Sequence, residues 1–198
     1  MPFSKALLFL LPVVLAGCQV EVSSDSHQTL AEAPVWVDEV PADSLELRPN
    51  EGLMLYHGEP FSGKSQKVVD GIASAEVNYW RGKKSGKHTL WFANGTKSYE
   101  CAYARGKKEG KSYSWWKNGN LRSESTFESG AAHGVQKQWY ISGSLFKQLT
   151  LVDGKEEGMQ QSWRENGKLY SNYEAKNGRI FGLKRSELCY ELADEKVQ

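Results

Sequence analysis

The chain has 198 residues, 25 Lys and Arg against 24 Asp and Glu, 39% hydrophobic residues and 25% charged ones. That length allows one domain plus some extra sequence and excludes a large multidomain enzyme, and a negative mean hydropathy excludes a membrane bundle. Glycine is frequent at 19 residues and aromatics reach 12%, which is not the composition of a disordered chain and points to short strands joined by glycine turns.

Met1 to Lys5 carry one positive charge, and an apolar run from Ala6 to Leu15 follows, broken only by Pro12. The run is too short for a stable membrane span, which needs about 20 residues. Its length and flanks read as a secretory segment. It ends in Leu15-Ala16-Gly17-Cys18, which resembles a bacterial lipobox. That resemblance implies cleavage after residue 17, acylation of Cys18 and a bacterial envelope location. Gln19 in place of Asp implies the outer membrane rather than the inner. An ordinary signal peptide with an incidental Cys, or a cytosolic protein with an apolar start, are the alternatives. Cleavage would remove Lys5 and leave 24 basic against 24 acidic side chains. A neutral chain has no bulk field to draw in nucleic acid, so no nucleic-acid partner is expected.

Residues 18–45 read as the lipidated Cys and a polar, proline-interrupted tether. Val35-Trp36-Val37 is its one apolar spot, able to pair as an edge strand.

Residues 46–185 are a repeat of period 24. Gly82, Gly106, Gly130, Gly154 and Gly178 keep that spacing, as do Gly86, Gly110, Gly134, Gly158 and Gly182. So do Gly95, Gly119, Gly143 and Gly167. Trp91, Trp115, Trp139 and Trp163 form an aromatic column, and Phe92, Trp116, Tyr140 and Arg164 run beside it. Asn94-Gly95, Asn118-Gly119, Ser142-Gly143 and Asn166-Gly167 read as two-residue hairpin turns with positive φ. Two strands and two turns fill the 24 residues and leave no room for a helix. The expected fold is all-β: an elongated antiparallel sheet or solenoid of about five to six hairpin repeats. At two strands per unit it advances about 10 Å per repeat. Residues 186–198 read as a C-terminal cap and tail.

Trp115-Trp116-Lys117-Asn118-Gly119-Asn120-Leu121 and the link Gly106-Lys107-Lys108-Glu109-Gly110-Lys111 are similar to the MORN repeat variant. Glu59-Pro60-Phe61-Ser62-Gly63-Lys64 is similar to an opening unit of such proteins. The resemblance covers about residues 53 to 184. It implies a bacterial protein of a kind often labelled as a toxin–antitoxin antitoxin.

Catalytic signals are lacking. His27, His57, His88 and His133 are scattered, and no zinc spacing, phosphate loop or nucleophile elbow occurs. No metal, cofactor or enzymatic activity is expected. Cys101 and Cys189 lie 88 residues apart, about 35 Å at the repeat rise, far beyond disulfide reach. The Trp91 column reads as the sheet's hydrophobic spine, although such a stripe can also stack sugars or bases. Adjacent strand residues point to opposite faces. Phe92, Trp116, Tyr140 and Arg164 are therefore the candidate contact surface for a partner protein, with a structural or glycan- or lipid-binding role as the alternative.

Overall fold

The computed structural model describes residues 35–183, and among them it is built almost wholly of strands. The chain enters with β1 (Val37–Pro41), a single 3-10 turn at Ala42–Ser44, and β2 (Glu46–Arg48), β3 (Leu53–Tyr56) and β4 (Glu59–Pro60). The hairpin array follows: β5 (Gly63–Val69), β6 (Ile72–Trp80), β7 (Lys83–Trp91), β8 (Lys97–Ala104), β9 (Lys107–Trp115) and β10 (Leu121–Glu128). It continues with β11 (Ala131–Ala132), β12 (Gly134–Trp139), β13 (Leu145–Val152), β14 (Lys155–Trp163), β15 (Leu169–Lys176) and β16 (Arg179–Leu183).

The array forms one open 13-stranded sheet in which β5 to β16 follow chain order, with β11 as a side branch on β10. All its neighbours are antiparallel except β1, which pairs with β5 in parallel. The sheet is therefore mixed rather than purely antiparallel. The ordered body also reaches back into the stretch assigned to the tether, because Val37 and Val40 find a hydrophobic site. Val40 is buried with Phe61, Val77 and Tyr79, and Met54 and Tyr56 of β3 pack on this cluster. The small sheet β2-β3-β4 thus covers the first hairpin. The first unit departs from the glycine spacing because Gly63 lies against β1. A Cβ there would overlap the Val37 carbonyl oxygen.

The hairpin ends differ from the expected turn chemistry. Two-residue turns with positive φ on both residues occur at Asp70-Gly71, Arg81-Gly82, Arg105-Gly106, Ser129-Gly130, Asp153-Gly154 and Asn177-Gly178. At the Asn-Gly ends only the glycine is left-handed, as at Gly95 (φ 80°) and Gly119 (φ 90°). Phe92 accepts from Gly95 N–H at 2.9 Å and donates to Thr96 at 2.8 Å, so the loop has three residues. Asn94 instead uses its side chain. Its Oδ1 accepts the Thr96 N–H at 3.1 Å and its Nδ2 donates to Lys117 of the next turn at 3.1 Å.

Cross-strand partners share a sheet face. One face carries a row running Ser65, Val77, His88, Cys101, Ser112, Ser125. It resumes as Gln136, Leu149, Gln160, Tyr173. Most of this row is buried, although beyond the first hairpin no second layer covers it among the described residues. Register shifts beside Gly86, Gly110 and Gly158 mark bulges, and bulges bend the strand and raise its twist. The sheet curls toward this row. The opposite face carries Glu76, Thr89, Glu100, Tyr113, Glu124, Lys137 and Gln148 in the corresponding row. It is laced by ion pairs such as Lys97–Glu100 and Lys111–Glu124, both at 2.8 Å.

Candidate functional site

Strand alternation places Trp91 and Trp115 with the polar row and Phe92 and Trp116 with the curled row. Lys97 confirms the side of Trp115: its ammonium pairs with Glu100 and lies 5.6 Å from the Trp115 ring centroid. The buried row is therefore on the Trp116 side, the reverse of the assignment expected from the tryptophan column. Trp91, Trp115, Trp139 and Trp163 are all half-buried and form no core. The buried row instead mixes Ser65, Val77, Cys101, Ser112, Gln136, Gln160 and Tyr173.

Trp116 and Tyr140 do two things. Trp116 Nε1 donates to the Trp139 carbonyl at 3.1 Å, and the Tyr140 hydroxyl donates to the Trp163 carbonyl at 2.9 Å. Each clips its hairpin to the next. Their rings remain half-exposed and line a cleft of ≈ 450 Å³ with Arg122, Gln138 and Phe146. The Arg122 guanidinium lies 4.8 Å from the Trp116 ring centroid. One repeat on, Phe146 packs on Tyr140 with centroids 5.0 Å apart. In the following repeat the order is swapped, with Arg164 over Tyr170 at 5.5 Å. Phe92 is half-buried one repeat before Trp116 and does not line the cleft. The structure thus brings Trp116 and Tyr140 together and leaves Phe92 and Arg164 at the margins.

Arg122 and Phe146 escaped the sequence reading. The signal was present: each lies six residues after its ring partner, across the three-residue turn, and both sit in the 24-residue column with Tyr170.

A second cluster surrounds His88. Its ring centroid is 5.8 Å from both Tyr99 and Tyr103. Burial first, then the charges of Lys84 and Lys108, push its pKa down to about 4. Lys84 stacks on Tyr103 at 5.4 Å, and Lys108 on Tyr99 and Phe127 at 5.5 and 4.8 Å. Among the described residues no group of three or more His, Cys, Asp or Glu could hold a metal ion. Cys101 is a buried free thiol. Cys18 and Cys189 lie outside the described residues.

One unit is strand, three-residue turn, strand, two-residue turn, as in β9 and β10. Residues 108–129 match the MORN repeat variant. That segment runs from Lys108 in β9 to Ser129 of the following turn. The hairpins on either side, β7–β8 and β12–β13, share this unit's turn pair and pairing register. No curated protein matches the chain.

Proposed function

We propose that the protein is a non-catalytic repeat scaffold that binds a partner protein at the cleft of Trp116, Arg122, Tyr140 and Phe146. The observation that carries this reading is the cleft itself. It spans the MORN-matched hairpin and the one after it, is lined by Trp116, Trp139, Tyr140, Phe146 and Arg122, and opens to solvent at its exposed Arg122 and Phe146. Aromatic residues and Arg dominate the binding energy of protein interfaces. The side chains lining the cleft are rings, Arg122, Gln138 and two serines, with no His, Cys or carboxylate, which supports a binding rather than a catalytic role for it.

The lipobox-like Leu15-Ala16-Gly17-Cys18 supports anchorage of this scaffold to a bacterial envelope membrane, the outer one by the sorting residue Gln19. Metabolic labelling with palmitate should mark the wild type and not Cys18→Ser. An antitoxin or immunity role is the narrower form of the same reading, supported by the kind of protein the repeats resemble.

The test is a site-specific photo-crosslinker at Phe146 in the native membrane, with Arg122→Ala as control. Arg122 is exposed and forms no inter-repeat clip, so its loss leaves the fold intact. One crosslinked protein that disappears in Arg122→Ala supports the proposal, and toxicity of that protein when expressed alone supports the antitoxin form. A diffuse, variant-independent background removes it and turns attention to glycan ligands.

A further inference from the structure

The basic phrase Arg-Gly-Lys-Lys occurs twice, at 81–84 and 105–108, one repeat apart. In the sequence these look like ordinary charged turns, but the structure stacks them. The Gly106 N–H donates to the Lys84 carbonyl at 2.7 Å, and the Gly130 N–H to the Lys108 carbonyl at 2.9 Å. The two turns are therefore fixed side by side, about 10 Å apart by the strand spacing. Between them and the small N-terminal sheet lies a groove of ≈ 370 Å³. Its rim is Lys83, Lys84, Arg105 and Lys107 with the exposed Leu47, and the more buried Met54 and Tyr79 form its floor.

The pairing of charges sets this rim apart. Lysines in mid-strand have carboxylates: Lys64 with Glu39 and Glu76, Lys87 with Glu100, Lys111 with Glu124. Among the described residues no carboxylate lies within ion-pair distance of the four rim cations. Lys84 has its pKa lowered by burial and by the neighbouring Lys108. The groove gathers four cations without a carboxylate partner at ion-pair distance, on a chain with a formal net charge of only +1.

We propose that this groove is a second binding site, which takes an extended acidic segment of a polypeptide partner. The cations span two repeats, too wide for one small anion. An extended peptide presents same-side side chains about every 7 Å, so two or three Glu or Asp residues reach both turns. The apolar floor receives an intervening aliphatic side chain, for which a bare polyphosphate has no counterpart. The near-neutral chain lacks the wide basic field that nucleic-acid binding uses. The site lies apart from the Trp116 cleft and does not depend on it.

The test is fluorescence anisotropy with the full chain in non-ionic detergent. The probe is a labelled decapeptide of glutamates with one central leucine, and its glutamine counterpart is the control. The Glu peptide should bind at least about tenfold more tightly than the Gln peptide, and should weaken steeply from about 0.05 M to about 0.5 M salt. Lys83→Glu with Lys107→Glu should abolish that preference while the circular dichroism spectrum stays unchanged, since both side chains are exposed. Equal binding of the two peptides, or retention in the double variant, overturns the proposal. Tighter binding of tripolyphosphate, of an oligothymidine or of phosphatidylglycerol vesicles than of the Glu peptide overturns it too.

Discussion

Gln160 serves Thr150 as a substitute strand partner. Its Nε2 donates to the Thr150 carbonyl at 2.7 Å while its Oε1 accepts the Thr150 N–H at 3.2 Å. The bulge beside Gly158 pulls β14 away from β13 at this point, and the side-chain amide fills the gap. Gln136 does the same for Thr126 one repeat earlier. Gln160 is 0% exposed, so its removal strands a buried N–H and C=O. Gln160→Leu should cost about 2 kcal/mol, the desolvation penalty of unpaired polar groups, although it adds apolar surface. Urea unfolding checks this, and an unchanged midpoint would show that water replaces the amide.

The clips between repeats can be tested without altering the rings. Tyr140→Phe removes only the bond to the Trp163 carbonyl and should cost about 1 kcal/mol. In a linear array such bonds couple neighbours. The loss should therefore appear as increased amide exchange in β13 and β14, not in β5 or β6. Uniformly raised exchange across the whole sheet would contradict this picture of nearest-neighbour coupling.

The repeat, its hairpins and its all-β class were legible because glycine reports a local need. The second residue of each two-residue turn has a φ of about 72° to 94° and is glycine in every repeat, and the 24-residue spacing follows. The two turn types were not distinguishable from the Asn-Gly dipeptide, since Asn94 is selected for its side-chain bonds to Thr96 and Lys117 rather than for its φ. The polarity of the sheet was also hidden. Trp115 looks like a core residue, but the curl created by the bulges buries Cys101 and Gln160 instead. Curvature depends on register shifts between strands, and no single strand encodes it. Trp116 and Tyr140 were recognisable as a stripe, while their partners Arg122 and Phe146 needed the turn length to be known.

Gly63 should be intolerant of any side chain. A Cβ would overlap the Val37 carbonyl and come within 2.9 Å of the Phe61 ring. The Val37 N–H donates to the Ser62 carbonyl at 2.9 Å nearby, so the strands cannot simply move apart. Gly63→Ala should release β1, at about 1 to 3 kcal/mol for overpacking a close contact. Hydrogen exchange should then rise at Val37–Pro41 and leave β9 and β10 protected. Full protection of β1 in the variant would mean that the parallel pairing is looser than the geometry indicates.

His88 should make the fold sensitive to mild acid. In the native state its pKa is about 4, against 6.5 for the free side chain. Above about pH 6.5 both folded and unfolded forms hold a neutral ring, and the group has no effect. As the pH falls below 6.5 the unfolded chain takes up a proton that the folded chain refuses. Stability therefore declines from about pH 6.5 down to about pH 4 and then levels for this group. The half-exposed site and solvent screening reduce the size of the effect. Glu100, held low by Lys97, adds its own acid-dependent loss at lower pH, so the comparison must be with a variant. His88→Gln places in β7 the residue that Gln136 and Gln160 supply in the same column. It should flatten the slope between pH 6.5 and 4 in urea titrations without loss of stability at neutral pH. A ring-proton titration midpoint near 6.5 in the folded wild type would remove the effect altogether.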